Sequence, residues 1–519
     1  MSDAIVIGGG PNGLVAANLL VDQGWEVVLV EANDEVGGAV RSDSDVADGF
    51  IHDTFSSFYP LAAASPTIQA LELHKWGLEW SDAPAPFGNP MTDGGWAIVH
   101  DDPLRTAAEL DAEAPGDGDS WLALYEDWRK IQRGMVGLLL DPFPPIRSGS
   151  SLALHLLGRQ GLERIRLLAS SVRSLGEQHF RGDAGRMLFA TNAQHADITP
   201  ESAGSGLMGW LLVMLGQQFG YPVPKGGAGR LAHALADRFR AQGGTIVCGQ
   251  RVTGIEVSGG RATGVRTASG EYYGARRAVL ADVSAPALYG ELLPVAAVPR
   301  RVRRAMEKFE WDPGTVKVDW ALDGPIPWQE KPSASPGTVH IARSVDALSM
   351  TAAQIAAGLV PTEPFLLMGQ MTTADPTRSP AGTEAAWAYT HVPQRVRGDD
   401  EFTGRWDADE AERFADRMQA QVERAAPGFE QRIIRRRILA PPDLERRDAN
   451  LVGGAVNGGT SALHQQLVFR PIPGLARAET PVKGLYLASA SAHPGGGVHG
   501  ACGSNAARAA ILHAKLPWR

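Results

Sequence analysis

Four apolar residues, Ala4-Ile5-Val6-Ile7, form the first uninterrupted hydrophobic run and predict a buried parallel strand. Gly8-Gly9-Gly10-Pro11-Asn12-Gly13 breaks that run, Leu14 to Leu20 predicts a helix, and Trp25 to Glu31 predicts the next strand. Farther on, Leu231, Leu235 and Phe239 recur on one helical face, and Gly243-Gly244 stops that helix. Thr245 to Cys248, Val252 to Val257, Ala262 to Thr267 and Ala278 to Leu280 predict short strands, with turns at Ser258-Gly259-Gly260 and Ser269-Gly270. Asp407 to Ala426 predicts an amphipathic helix with Phe414, Met418 and Val422 on one face, ended by Pro427. Near the end, Gly484 to Ala490 predicts a strand, Ser491 to Gly500 a glycine loop, and the following residues a helix to Leu512.

Composition narrows the class. With 519 residues, 44% hydrophobic and 21% charged, the chain is long enough for two or more cores. Its net charge of -9 argues against nucleic acid as a partner, because phosphate neutralisation needs a basic face. Cys248 and Cys502 are far apart and in no CxxC, so neither a dithiol redox centre nor a thiolate zinc site is expected, and no metal is expected. The chain enters its first apolar run without a charged n-region, and the dense apolar stretch Leu207 to Leu215 is too short for a bilayer span of about 20 residues. The cytoplasm is the expected compartment.

The N-terminal loop carries the first chemistry. Gly8, Gly10 and Gly13 stand at the G-x-G-x-x-G positions, where they permit a tight turn, a close pyrophosphate and close helix–strand packing. The helix N-terminus adds N–H groups and partial positive charge. Glu31 closes the second strand, 18 positions after Gly13 (31 − 13), where a carboxylate accepts ribose hydroxyls. The pattern alone is weak, since the chain holds two more matches. Gly204 to Gly209 follows no strand and reads as helix packing, and the other belongs to the C-terminal loop. That loop is a second strand–glycine loop–helix cradle, suited to negative charge on a reduced flavin.

The run Asp34-Glu35-Val36-Gly37-Gly38-Ala39-Val40-Arg41 resembles the extension of glutathione-reductase-like FAD proteins. Lys225 to Leu231, Gly484-Leu485-Tyr486-Leu487 and above all His493 to Ala507 resemble the phytoene desaturase and carotenoid isomerase superfamily. Within it, Asn505-Ala506-Ala507 and Gln466 to Pro471 are similar to the branch called pyridine nucleotide-disulfide oxidoreductase domain-containing protein 2. The resemblance implies an α/β fold. A discontinuous glutathione-reductase-like FAD-binding Rossmann domain would comprise 1–60, 220–283 and 481–519, with a mixed α+β substrate domain from 61–219 and 284–480. It implies FAD contacts at Gly8, Gly10, Pro11, Asn12, Gly13, Glu31, Ala32, Gly38, Arg41 and Val252. On the far loop it implies contacts at His493, Pro494, Gly495, Gly496, Gly497 and Val498. Arg41 reads either as a phosphate-side ligand or as a surface salt-bridge partner, and Val252 either as a backbone contact to the adenine edge or as plain core.

Histidine is the obvious proton carrier near neutral pH, and His493 and His499 inside the far loop are the candidates, His493 being the one that matches the family motif. His195 and Asp197 read mainly as structural. Gly134 to Leu140 and Leu207 to Leu215 read as core helices, with a substrate lid or peripheral membrane contact as the alternative. The basic runs Arg300 to Arg304 and Arg435 to Arg437 read as a solvated helix face and a salt-bridged strand edge. The expected activity is FAD-dependent dehydrogenation or desaturation of a lipophilic or amine-like small molecule, with oxygen or a quinone as electron acceptor. A saturase, a redox-neutral isomerase and a FAD-stabilised interaction protein are the alternatives, and the oligomeric state is left open.

Overall fold

The computed structural model describes residues 1–146, 148–150, 161–162, 165–166, 169–398 and 401–516. The expected spans 61–219, 284–480 and 481–519 therefore each include residues outside the described set. Two seven-stranded sheets organise the described chain. In the first, Leu485–Leu487, Tyr272–Ala281, Ser2–Ile7, Val27–Val30 and Thr245–Val247 lie side by side and parallel. The apolar runs at Ala4 to Ile7 and Val27 to Val30 suit this position, because such strands are covered on both faces. The helices Pro11–Val21, Gly229–Ala241 and Ala501–Lys515 supply the cover, with Leu14, Leu20, Leu235, Phe239 and Ala506 fully buried in one cluster.

One strand differs from expectation. Ala278 to Leu280 is the apolar part of a ten-residue strand, Tyr272–Ala281. Its first part pairs antiparallel with Arg261–Thr267, and its second part pairs parallel with Ser2–Ile7. Exposed Tyr272, Arg276 and Arg277 hide the element from a hydrophobicity reading, while ladder hydrogen bonds hold it extended.

The second sheet runs Ile433–Leu439, Gly314–Leu322, Glu384–Val392, Leu366–Gln370, Pro336–Ile341, Ala85–Pro90, Trp96–Val99. Only the pair of Pro336–Ile341 with Ala85–Pro90 is parallel. In Gly314–Leu322 every residue is buried, yet the sides differ. Val316, Val318, Trp320 and Leu322 share a core with Phe414, Met418 and Val422 of the helix Ala408–Ala425, as the amphipathic pattern requires. Alternation therefore puts Thr315, Lys317 and Asp319 on the opposite side.

Around this sheet pack the helices Asp117–Leu140, Asp183–His195 and Ser205–Phe219. Gly209 permits the last two to touch, since a Cβ there would stand 2.6 Å from the Phe189 carbonyl oxygen. The second glycine match is thus a helix-packing device. Gly134 to Leu140 forms the end of Asp117–Leu140, where Gly134 and Met135 are buried and Val136 to Leu140 are half-buried.

Candidate active site

At the N-terminal loop the backbone of Gly8 is left-handed, with φ of 91°, and a Cβ on Gly13 would run into the Gly8 carbonyl oxygen. Only glycine fits both positions. Pro11 opens the helix directly after Gly10, and the Asn12 side chain is buried with its Oδ1 unpaired. Glu31 is buried and accepts the Gly9 N–H at 2.6 Å and the Asn33 N–H at 2.8 Å, with Ala32 half-buried between. Gly38 comes against Gly10, 2.9 Å from its Cα if a Cβ is added. Arg41 donates to the carbonyl oxygens of Gly38 and Arg447 and lies over the Phe55 ring. Among the described residues it forms no salt bridge, so the surface ion pair is not its role in this structure. Val252 begins a strand and packs against the apolar layer that holds Val30.

Two acids that the sequence reading passed over close in on the same loop. Asp282 follows Tyr272–Ala281 and accepts the Gly13 N–H at 2.8 Å. Burial pushes its carboxyl up to about 8. Asp448 is also raised by burial, and its Oδ2 would stand 3.4 Å from a Cβ on Gly38.

The C-terminal loop reaches this place from the other end of the chain. Gly503, on the first turn of Ala501–Lys515, is pressed so closely on the Asn12 carbonyl that a Cβ would overlap it. His499 accepts the Ala501 N–H at its Nδ1, which fills one of the empty donors of that helix start. Burial holds it neutral, down to about 4. In this geometry the His499 ring is tied to the start of the helix by that bond. His493 differs: its Nε2 meets the Asp141 carbonyl oxygen at 3.2 Å, its ring stands edge-on to Phe143, and its Nδ1 is buried without a partner. Pro494 to Val498 complete the loop. Gly495 and Gly497 have φ of 114° and 105°, and Cβ atoms on Gly496 and Gly497 would meet Asn457 and Leu61.

Leu61 links the loop to the polar side of the second sheet. Phe58, on the same short segment, contacts Trp387, and Trp387 stacks on Tyr389 at 5.9 Å. Register places Lys317 opposite Tyr389 and Asp319 opposite Trp387. Lys317 is buried, paired with Asp319, and donates to the Asp53 carbonyl at 2.9 Å. Beside them His391 meets Asp197 at 2.6 Å, and Asn457 donates to the same carboxylate. Burial works against the charge on His391, and the Asp197 carboxylate overcomes it, so its pKa lies above the usual histidine value. His195 is pulled down to about 4 by burial and touches His340 rather than the C-terminal glycine loop. The signal for these residues was present: Thr315-Val316-Lys317-Val318-Asp319-Trp320 alternates strictly, and an alternating Lys and Asp reads as solvent-facing until the other side of the sheet is known to be covered.

A loop of Lys225 to Gly229 is tied to this junction. Asp53 accepts the Ala228 N–H, Ser42 the Gly229 N–H and Asp375 the Gly226 N–H. Arg378, fully buried, bridges Asp53 and Asp375.

The chain has relatives among known proteins. A family profile described as flavin containing amine oxidoreductase matches residues 12–378. The chain belongs to this flavin-containing amine oxidoreductase family. It is 29% identical over 547 aligned positions to the mouse protein called pyridine nucleotide-disulfide oxidoreductase domain-containing protein 2, covering 97% of this chain and 92% of the relative. It is 24% identical to a lycopene-forming phytoene desaturase of Pseudescherichia vulneris, across 99% of both. A solved oxidoreductase from Methanosarcina mazei has the same fold, with a TM-score of 0.64 at 16% identity over 98% of this chain and 99% of that one.

The expected α/β fold and the resemblance to the desaturase superfamily therefore hold, and the protein is a FAD-dependent oxidoreductase. Its own residues fit that cofactor. The glycines of both loops hold the backbone where no Cβ fits, and Asn12 Oδ1, Ser57 Oγ, His493 Nδ1 and Asn505 Oδ1 are buried polar atoms without partners. Among the described residues no cluster of His, Cys, Asp and Glu is arranged to hold a metal, and no helix is long and apolar enough to cross a membrane.

Proposed function

We propose that the protein is a dehydrogenase or desaturase that removes hydride from a C–H bond of a lipophilic small molecule, with oxygen or a quinone as the final acceptor. One observation carries the substrate class. The side of the sheet joined to the C-terminal loop through Leu61 carries an aromatic run, Phe58, Trp387 and Tyr389, beside the buried Lys317 and Asp319. The carboxylates on that side, Asp319 and Asp197, are already paired with Lys317, Arg437 and His391. An ammonium substrate would find no unpaired anion among these residues.

Bound FAD would supply a ring that accepts a hydride, which carries both electrons of the oxidation. In this proposal Glu31 takes the adenosine ribose hydroxyls, and Gly8 to Gly13 with Gly38 and Arg41 surround the pyrophosphate. Val252 borders the adenine, His493 to Val498 border the ring, and the domain division 1–60, 220–283, 481–519 against 61–219, 284–480 is part of the same reading. His493 receives the substrate proton at Nδ1, since Nε2 is committed to the Asp141 carbonyl. Burial lowers its pKa, which keeps it in the proton-accepting form at neutral pH. Asp141 and Phe143 cover that histidine from the insertion side and exclude water.

The test is anaerobic mixing of the FAD-loaded protein with apolar alkenes and with primary amines. Bleaching of the flavin bands by the apolar set supports the reading. Bleaching by amines alone overturns it.

A further inference from the structure

Arg470, in the Gln466 to Pro471 segment, is fully buried and has no ion-pair partner among the described residues. Its guanidinium is held by carbonyl oxygens alone. Nε and Nη2 donate to Ala490 O at 2.9 and 2.7 Å, Nη2 also to Asn457 O at 2.8 Å, and Nη1 to Thr460 O at 3.1 Å. Ala490 ends the approach to the C-terminal glycine loop, and a Cβ on Gly495 would stand 3.2 Å from Arg470 Nε.

One acid acts on Arg470 from behind that backbone. Asp312 accepts the N–H groups of Val456, Asn457 and Gly459, at 2.7 to 2.9 Å, from the same stretch whose carbonyls face Arg470. N–H groups of this segment thus face the carboxylate, and its carbonyl oxygens face the guanidinium. They solvate the positive charge without cancelling it. A buried cation normally needs a compensating anion nearby, and here the glycine loop occupies that side.

We propose that Arg470 is a positioning residue that holds a permanent positive charge behind the C-terminal glycine loop and thereby raises the electron affinity of bound FAD. Reduction delivers two electrons to the ring and leaves negative charge on its pyrimidine side, which a fixed cation in a low-dielectric setting stabilises. The Ala501–Lys515 helix start adds to the same field. The charge persists at neutral pH, for burial lowers the guanidinium only to about 10.

The experiment is redox equilibration of the FAD holoenzyme against a reference dye, for wild type, Arg470→Gln, Arg470→Lys and Asp312→Asn. The expected result is an equilibrium constant for flavin reduction at least about tenfold lower in Arg470→Gln, close to wild type in Arg470→Lys, and higher in Asp312→Asn. A yellow Arg470→Gln protein with an unchanged constant overturns the proposal, as does a Lys variant that behaves like Gln. Should the Arg470 variants fail to hold FAD, Asp312→Asn decides: an unchanged or lowered constant refutes the idea. The readout is independent of the substrate class, so failure here leaves the dehydrogenase reading standing.

Discussion

Asp282 places a carboxyl group on the N-terminal glycine loop, and its protonation decides whether that loop carries a negative charge. Burial raises it from 3.8 to about 8, so the folded state holds a proton that the unfolded state has lost across that window. Stability contributed by this group is full below pH 4 and falls as pH rises toward 8, by up to about 1.4 kcal/mol per pH unit. Asp282→Asn is expected to be more stable than wild type at pH 8, with the gap closing near pH 4, as read from urea midpoints. It should also remove any loosening of FAD between pH 7 and 9. Glu31→Ala leaves the Gly9 and Asn33 amides without their acceptor, a cost of about 1–3 kcal/mol, and FAD affinity measured by fluorescence titration is expected to fall at least tenfold.

At the scale of elements, the backbone leading into Gly229–Ala241 is held by Asp53 and Asp375, and one buried arginine holds those acids. Arg378→Met strands Asp53 and Asp375 as uncompensated buried charges, so an unfolding free energy lower by about 3–5 kcal/mol is expected in denaturant titration. The same logic explains why Lys225 to Leu231 is recognisable as a motif: its glycines bring backbone N–H groups against Ser42, Asp53 and Asp375, and a Cβ on Gly227 would stand 2.9 Å from Ser42 Cβ. The arginine run 435–437 is likewise resolved at this level. Arg437 reaches Asp43 and Asp319, and Arg436 reaches Glu412 and Asp416, so the salt-bridged strand edge is what the structure shows.

Across the whole molecule, one sheet draws together the beginning, middle and end of the chain. Strands from residues 2–30, 245–281 and 485–487 share one sheet, and the two glycine loops meet at Asn12 and Gly503. Saturating FAD at a hundred times its Kd should therefore stabilise the fold by about 2.7 kcal/mol, visible as a higher urea midpoint. A chain truncated after Thr480 loses the partner of Val279 to Ala281 and the helix against Asn12, and is expected to purify colourless. Features governed by neighbours in sequence were legible without the structure: the strand–glycine–helix units, the amphipathic helix at 408–425, the cofactor, and the helix-packing character of Gly204 to Gly209. Glycine requirements, helical faces and strand runs are local, because backbone sterics and side-chain periodicity act within a few residues. What only the tertiary structure decided is the state of the charged groups. Asp197, Asp312, His391 and Arg470 come from four distant stretches, and Lys317 and Asp319 become interior only because another layer covers their side of the sheet. Burial and partnership set the charge of an ionisable group, and both are made by contacts that no local pattern contains.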